Sequence, residues 1–332
     1  MLYPLKFNPI YKEKVWGGQK LKNVLSKKNV ISEKCGESWE ISGVEGDISV
    51  VANGSLKGNN MEELIEVYMG DLVGDSVYEK FGLEFPLLIK FIDADDDLSV
   101  QVHPDDETAM ELHNSFGKNE MWYVVQAEKD AELINGFSKS ISREEFIAHL
   151  DNGTLKDVLN VEKVKAGEVF NIPTGRVHSI GKGILLAEIQ QTSDITYRIF
   201  DWNRKDLNGN YRELHTDFAI SVLNFELQSD YKLNYSSELN QTNAILANKY
   251  FTVNYLEIDK QLEKDYVTID SFVIFMCIDG NFEIITDGNE IININKGETV
   301  LIPAEIKLVN INPKTKSTFL EVYIEIPQTD VD

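Results

Sequence analysis

The stretch DADDDLSVQVHPDDE, residues 93–107, organises the predicted fold. Side chains alternate between the two faces of a β-strand, so this stretch predicts one apolar face and one polar face, the latter carrying Ser99, Gln101 and His103. Burying unpaired polar groups is costly, so the polar row indicates a strand that lines a wet cavity and directs Gln101 and His103 at a metal. The strand should end at Pro104, because proline rarely lies inside a central strand.

Composition predicts a soluble globular protein and limits its partners. The chain has 332 residues, which is enough for two domains. Hydrophobic residues make up 42% and charged residues 26%, as is typical of a soluble globular protein. A net charge of −23 argues against nucleic acid or an anionic membrane as partner. The N-terminal residues contain no apolar run of signal-peptide length, and the longest apolar run, 272–278, is too short for a membrane span. With only Cys35 and Cys277, a cytoplasmic protein with reduced thiols is expected.

Periodicity and capping residues predict a few helices among many strands. Apolar spacing predicts a helix over 61–73, and a proline with two aspartates predicts a short helix over 104–113. Ser142 and Glu145 form a capping box for a helical region that is expected to continue towards Leu159. Strands are predicted at 85–93, at 120–126 and repeatedly beyond Val164, with turns at Asp-Gly and Lys-Gly pairs; the region 227–243 is a candidate linker.

An internal repeat predicts two related β-barrels. KAGEVFNIPTG (165–175) and NKGETVLIPAE (295–305) align Gly167 with Gly297 and Pro173 with Pro303, and both pairs are 130 residues apart. Each copy has a turn glycine, an acid, an apolar strand and a proline. Every histidine lies at or before His215, so the second barrel is not expected to hold a metal through histidine.

The first copy resembles the cupin family. GEVFNIPTGRVH (167–178) is similar to the second cupin motif, and the earlier motif corresponds to Gln101-Val-His103 followed by Glu120. The resemblance implies an all-β fold of two cupin barrels (double-stranded β-helix or jelly-roll) with a few peripheral helices. We expect residues 1–235 to form the catalytic metal-binding unit, with N-terminal strands and helical insertions. Residues 236–332 should form a second barrel without metal ligands.

A set of four residues, Gln101, His103, Glu120 and His178, has the donors that zinc accepts: an amide oxygen, two imidazoles and a carboxylate. Only Glu120 is charged, so a bound ion would remain a good Lewis acid. A redox iron site more often has two histidines and one carboxylate with several open positions, which argues against an iron oxygenase. Taken alone, His178 could equally be a hydrogen-bonded core histidine.

Five segments give a narrower resemblance to metal-dependent type I mannose-6-phosphate isomerases, in their short bacterial form. They are VWGGQKL, GESWEIS, KFIDADDDLSVQVHPDD, GKNEMWY and IPTGRVHSIGKGILLAEIQQTSDITYRIFDWNR, and the resemblance around them runs from about residue 8 to residue 215. The resemblance implies an enzyme that interconverts mannose 6-phosphate and fructose 6-phosphate with one Zn²⁺ per chain. It carries the family's metal ligands onto Gln101, His103, Glu120 and His178, and its substrate-site residues onto Ser99, Lys118, Glu188, Arg198, Arg204, Trp16 and Glu37.

Aldose–ketose isomerisation moves a proton between C2 and C1 through a cis-enediol(ate), so it needs a base, an electrophile and a phosphate anchor. We assign the base to Glu188 and stabilisation of the enediolate to Arg198. Lys118 and Ser99 could hold the phosphate, because the chain has no glycine-rich phosphate loop. Glu188 could instead be a structural ion-pair partner. Lys118 and Arg204 could be solvated surface cations.

Three other readings stay open: another metal cupin such as an oxygenase, a non-catalytic sugar-binding cupin, and an isomerase of a related sugar phosphate. The non-catalytic alternative predicts that Glu188 and Arg198 point away from the metal. Under the isomerase reading the partner is a small sugar phosphate, and the chain is a monomer or a weak homo-oligomer. A helical insertion of the longer relatives is largely missing here, so the way the pocket closes is not predicted.

Overall fold

The computed structural model describes residues 2–326 of the chain, and antiparallel strands dominate it. The strands of the first part are β1 (Ile10–Gly18), β2 (Cys35–Ile41), β3 (Leu87–Ala94), β4 (Val100–Val102), β5 (Glu120–Ala127), β6 (Glu132–Phe137), β7 (Leu159–Lys163), β8 (Val169–Ile172), β9 (His178–Ile180), β10 (Ile184–Gln191), β11 (Tyr197–Phe200) and β12 (Lys232–Leu233). Those of the second part are β13 (Thr242–Ala247), β14 (Thr252–Ile258), β15 (Leu262–Asp265), β16 (Val273–Asp279), β17 (Asn281–Thr286), β18 (Ile291–Asn295), β19 (Thr299–Ile302), β20 (Leu308–Pro313) and β21 (Ser317–Tyr323).

The helices lie in the first part of the chain. They are α1 (Lys20–Asn23), α2 (Met61–Val73), α3 (Asp75–Phe81), α4 (Asp106–His113), α5 (Arg143–Asp151) and α6 (Thr216–Val222), with a 3₁₀ turn at Leu155–Asp157. The helices predicted at 61–73 and 104–113 correspond to α2 and α4. None of the helices between residues 2 and 326 combines the length and the apolar character that a bilayer span requires.

Helix α5 begins as predicted and ends earlier than predicted. The Ser142 side chain accepts a hydrogen bond from the Glu145 amide, and the Glu145 side chain accepts one from the Ser142 amide, which completes the capping box. The helix stops at Asp151 instead of continuing towards Leu159. Gly153 has a φ of 67°, a left-handed conformation typical of the residue that follows a helix end.

The strands of residues 2–326 form two pairs of antiparallel sheets. The first pair has the strand orders β1-β2-β3-β10-β5-β8-β12 and β11-β4-β9-β6-β7, and the second has β13-β14-β21-β16-β19 and β15-β20-β17-β18. The orders correspond strand for strand, with β2-β3-β10-β5-β8 matching β13-β14-β21-β16-β19 and β4-β9-β6-β7 matching β15-β20-β17-β18. The predicted all-β class with two related units is confirmed, and the unit boundary at residue 235 stays a prediction.

Alternation along β10 separates two cores. Leu185, Ala187 and Ile189 belong to a cluster that also contains Val253 and other apolar side chains of the second part, so the two large sheets pack against each other. Leu186 faces the other way, into the apolar interior between the sheets of the first pair. Glu188 has the same parity as Leu186, and therefore faces that interior as well.

Strand register shows which residues of the second unit correspond to the polar strand residues of the first. Glu188 lies opposite Trp122, and Glu321 lies opposite Phe275 at the matching point of β21. Glu321 is thus the counterpart of Glu188. Glu120 pairs with Ile172 just as Val273 pairs with Ile302, so an apolar residue replaces Glu120 in the second unit.

In the second unit, a lysine side chain points into the interior between the sheets. Lys264 on β15 lies opposite Val309 as Gln101 on β4 lies opposite His178. The Lys264 ammonium is 2.9 Å from Glu321 Oε1, and the Glu321 side chain is almost fully buried. This ion pair gives the second unit a fixed internal cation, and no histidine lies beyond His215 to bind a metal there.

Candidate active site

Three potential metal ligands converge between the sheets of the first pair. His103 follows β4, Glu120 opens β5 and His178 opens β9, and all three side chains are buried. One ligand atom from each lies within 4.8 Å of the others. His103 Nε2 is 3.2 Å from Glu120 Oε1, and His178 Nε2 is 3.8 Å from Glu120 Oε2. The cluster predicted from sequence spacing is therefore brought together by the fold.

Main-chain carbonyls fix the orientation of both imidazoles. His103 Nδ1 lies 2.8 Å from the Ile195 carbonyl, and His178 Nδ1 lies 2.9 Å from the Arg176 carbonyl. A carbonyl only accepts hydrogen bonds, so each Nδ1 carries the proton and each Nε2 directs a lone pair at the cluster. Burial lowers the pKa of both rings, that of His178 to about 3, with the neighbouring cations and imidazole acting in the same direction. Both rings are thus neutral, and each can offer its Nε2 lone pair to a metal ion.

Glu120 supplies the negative charge of the cluster. Burial opposes its ionisation, but the neighbouring Lys118 ammonium outweighs burial and holds the pKa of Glu120 well below its usual range. Lys118 Nζ donates to Glu120 Oε1 at 2.6 Å. Within the described residues, Oε2 is buried without a hydrogen-bond partner. A buried carboxylate oxygen normally has a partner, so this one fits a bound cation.

Gln101 provides a fourth donor beside the imidazoles. Its Nε2 lies 3.2 Å from His178 Nε2, and its Oε1 accepts from the Ser99 hydroxyl at 3.2 Å. A half-turn of the amide would direct Oε1 at the cluster and leave Nε2 to donate to Ser99. Two neutral imidazoles, a carboxylate and an amide oxygen are a donor set for a divalent metal ion, so these residues could hold one.

A cavity of about 80 Å³ lies beside the cluster. Its walls include all the predicted substrate-site residues except Arg204, namely Trp16, Glu37, Ser99, Lys118, Glu188 and Arg198, together with Gln101. Several lysine and arginine side chains line these walls, although the protein as a whole is strongly acidic. The cavity therefore offers the local cluster of cations that an anionic substrate requires.

Glu188 lies on the cavity wall between two donors from neighbouring strands. Lys90 Nζ is 3.0 Å from Glu188 Oε2, and Trp122 Nε1 donates to Glu188 Oε1 at 2.8 Å. Burial and the charge of Glu120 raise the pKa of Glu188, against the opposing effect of Lys90. A raised pKa brings a carboxylate closer to the range in which it serves as a general base.

Glu37 occupies a contrasting environment. Its carboxylate is 3.0 Å from Lys14 Nζ and accepts from Trp39 Nε1 at 2.6 Å. Burial opposes its ionisation, but Lys14, Lys90 and the indole lower its pKa to about 2. Glu37 is therefore an ionised hydrogen-bond acceptor in the cavity wall and a poor proton acceptor.

The two predicted arginines are placed differently. Arg198 lies opposite Gln101 in the strand register and lines the cavity. Its Nη1 donates to the Glu213 carbonyl at 2.9 Å, and its Nε is buried without an acceptor among the described residues. Arg204 does not line the cavity, because Asp201 and Asp96 draw its guanidinium away at 3.0 and 3.4 Å.

Sequence reasoning missed Lys90, Trp122 and Arg212. Lys90 had a usable signal, since it is the only charged residue within the apolar run FPLLIKFI and such a lysine needs a buried partner. Trp122 belonged to a segment assigned as an ordinary strand. Arg212 lies in a polar loop without periodicity, and nothing local indicated that it reaches the cavity.

Comparisons with known proteins agree with this geometry. The family model of the phosphomannose isomerase type I catalytic domain matches residues 4–134, and that of the mannose-6-phosphate isomerase cupin domain matches residues 240–319. Mannose-6-phosphate isomerase ManA of Bacillus subtilis is 36% identical over 306 residues, 90% of this chain and 93% of that protein. Mannose-6-phosphate isomerase of Streptococcus mutans is 36% identical over 308 residues, covering 92% and 94% of the two chains.

Solved structures confirm the cupin fold class. The crystal structure of the mannose 6-phosphate isomerase from Bacillus subtilis has a TM-score of 0.87 at 31% identity, covering 97% of this chain and all of that one. A putative mannosephosphate isomerase from Archaeoglobus fulgidus has a TM-score of 0.78 at 22% identity, which shows the fold alone. From its sequence matches over nine-tenths of its length, the chain belongs to the type I mannose-6-phosphate isomerase family of enzymes.

Proposed function

We propose that this chain is a zinc-dependent aldose–ketose isomerase that interconverts mannose 6-phosphate and fructose 6-phosphate through a cis-enediol(ate). The observation that carries the proposal is the buried His103–Glu120–His178 cluster beside a cavity walled by Glu188 and several cations. Gln101, His103, Glu120 and His178 would hold one Zn²⁺ per chain. When bound, zinc supplies Lewis acidity that polarises the carbonyl and hydroxyl oxygens of the sugar.

Glu188 is the proposed base. In the forward direction it takes the proton from C2 of the open-chain aldose, the C2–H electron pair forms the C1=C2 bond, and the carbonyl electron pair moves to O1. The proton then returns to C1 as C2=O forms, and the hydroxyl proton of O2 passes to O1, which gives the ketose. The raised pKa of Glu188 favours the uptake, and the Lys90 and Trp122 donors keep the carboxylate oriented on the cavity wall.

Arg198 is proposed to stabilise the negative charge that develops on the enediolate oxygens. It lines the cavity, and its buried Nε has no acceptor within the described residues, so a donor is available to the substrate. Lys118 and Ser99 are proposed phosphate contacts, and Trp16 and Glu37 are proposed to border the sugar. Glu188 and Arg198 both line the cavity, which favours the isomerase over a non-catalytic sugar-binding protein.

Further assignments follow from composition and topology. We place the boundary between the units at residues 235 and 236, beyond β12 and before β13; residues 327–332 of the second unit lie outside the described part of the chain. The high acidity and low cysteine content support a cytoplasmic enzyme that acts on small sugar phosphates and not on nucleic acid. We propose a monomer or weak homo-oligomer.

Turnover in both directions tests the proposed function. The zinc-loaded protein should convert mannose 6-phosphate and fructose 6-phosphate to the same equilibrium mixture, with a kcat of roughly 1–1,000 s⁻¹. Conversion is measured by NMR of the sugar carbons, with glucose 6-phosphate and ribose 5-phosphate as competing substrates. A preference for either competitor would assign a related sugar phosphate. Binding of mannose 6-phosphate without conversion would contradict the isomerase and support a sugar-binding protein.

A further inference from the structure

Arg212 reaches the cavity from the loop that joins β11 to α6, and its side chain is about one-fifth exposed. Its Nε donates to Asp201 Oδ2 at 2.6 Å, and its Nη2 donates to Asp201 Oδ1. A guanidinium has five N–H donors and two of them bind Asp201, so the others stay available to a ligand. The residue lies outside the segments that resemble the isomerase family most closely.

The part of the cavity wall formed by Arg198 and Arg212 differs in its ion pairing from the rest of the cavity. Three other cations of the cavity each lie close to a carboxylate of their own: Lys14 beside Glu37 at 3.0 Å, Lys90 beside Glu188 at 3.0 Å and Lys118 beside Glu120 at 2.6 Å. Such pairs are close to neutral overall, so they attract an anion weakly.

Arg198 and Arg212 are balanced much less completely. Arg198 has no carboxylate within 4.0 Å among the described residues. Arg212 shares Asp201 with Arg204, which also lies 3.4 Å from the exposed Asp96. The guanidinium groups of Arg198 and Arg212 both meet the cavity, where Asp194 is the one carboxylate of the wall without a cation within 4.0 Å among the described residues. An incoming anionic group is therefore drawn to this wall.

We propose that Arg212 binds the phosphate group of the sugar phosphate, with Asp201 as the residue that positions its guanidinium. The proposal rests on the proposed function and adds a residue to it. The planar guanidinium matches the oxygens of a phosphate in a two-point arrangement, which a lysine cannot reproduce. Lys118 Nζ donates to Glu120 Oε1 and lies 3.4 Å from His103 Nε2, so it has few donors left for a phosphate dianion with several acceptor oxygens.

Asp201 explains why a long side chain on a loop can bind a ligand well. A free arginine loses rotamer freedom on binding, whereas two hydrogen bonds to Asp201 hold Arg212 in place beforehand. Arg204 also donates to Asp201 at 3.0 Å, so this buried carboxylate keeps a cationic partner when Arg212 is removed. Arg212→Met is therefore expected to fold.

The test compares Arg212→Met with Arg212→Lys and with Lys205→Met, an exposed cation of the same loop that does not line the cavity. Arg212→Met should raise the KM for mannose 6-phosphate and the inhibition constant for inorganic phosphate by about ten- to a hundredfold, as expected for a lost charged hydrogen-bond partner. Its kcat should change less than about threefold. Arg212→Lys should recover part of the loss, and Lys205→Met should resemble the unmodified protein.

Unchanged constants for both phosphate-bearing probes in Arg212→Met, with only a lower melting temperature, would overturn the proposal and leave Arg212 as a partner of Asp201. A fall in kcat with unchanged KM would also overturn it. Direct calorimetric binding of inorganic phosphate to unmodified protein and to Arg212→Met gives the same decision without turnover. If mannose 6-phosphate is not converted at all, the calorimetric comparison therefore still tests Arg212 separately from the proposed function.

Discussion

Glu120→Gln is expected to abolish metal binding and to lower kcat/KM for mannose 6-phosphate by at least about a thousandfold, because a Lewis acid supplies several kcal/mol of transition-state stabilisation. Glu120 provides the negative charge of the cluster, and its Oε2 has no other partner among the described residues. Glutamine retains the shape of the side chain but leaves Lys118 without its carboxylate. The measurements are zinc content per chain after dialysis and the initial rate of fructose 6-phosphate formation.

Glu132→Gln is the matched control, since Glu132 opens β6 in the opposite sheet and its side chain is exposed. The control should retain one zinc per chain and full activity. Circular dichroism of both variants checks that the removal of a buried charge has not unfolded the protein. A folded Glu120→Gln variant that retains stoichiometric zinc and activity would show that the metal is bound elsewhere.

Glu188→Gln is expected to have the opposite combination of properties, with metal retained and the chemical step lost. The amide can still accept from Trp122 Nε1, so the cavity should keep its shape. Removal of a general base lowers rates by about a hundredfold to ten-thousandfold, and we expect kcat to fall within this range while KM changes little. Steady-state kinetics and zinc content measured on one preparation separate the two effects.

The pH profile provides a second check on Glu188. A base must be ionised, so kcat/KM should fall as the pH drops through the pKa of Glu188. Burial first, and then the charge of Glu120, raise that pKa, which places the acidic limb above that of an ordinary glutamate. An acidic limb that remains unchanged in the residual activity of Glu188→Gln would assign the base to another residue.

The strand that carries the metal ligands could be predicted because alternation is a local property. Burial of every second residue in β4 follows directly from its apolar and polar faces, and Gln101 lies on the polar one. The Ser142 capping box was predictable for the same reason, since all its atoms lie within one helical turn. Repetition of the strand order was signalled by the glycine and proline spacing of the two repeats.

The features that could not be predicted from the sequence depend on pairing between residues that are far apart in the chain. The sequence repeat aligns His178 with Leu308, but the strand register directs Val309 inwards opposite Lys264 and leaves Leu308 on the surface. A shift of one residue in a strand exchanges its two faces, and no local pattern reports it. The contact of Arg212 with the cavity likewise depends on Asp201 at the other end of an irregular loop.

We propose that a metal held by Gln101, His103, Glu120 and His178 supports the isomerisation of mannose 6-phosphate. The most direct measurement is the rate of fructose 6-phosphate formation before chelation, after removal of metal with a chelator, and after addition of one equivalent of zinc per chain. We predict that activity is lost with the metal and returns with zinc at that stoichiometry. Full activity in protein shown by elemental analysis to be free of metal would show that the isomerisation needs no metal at these four residues.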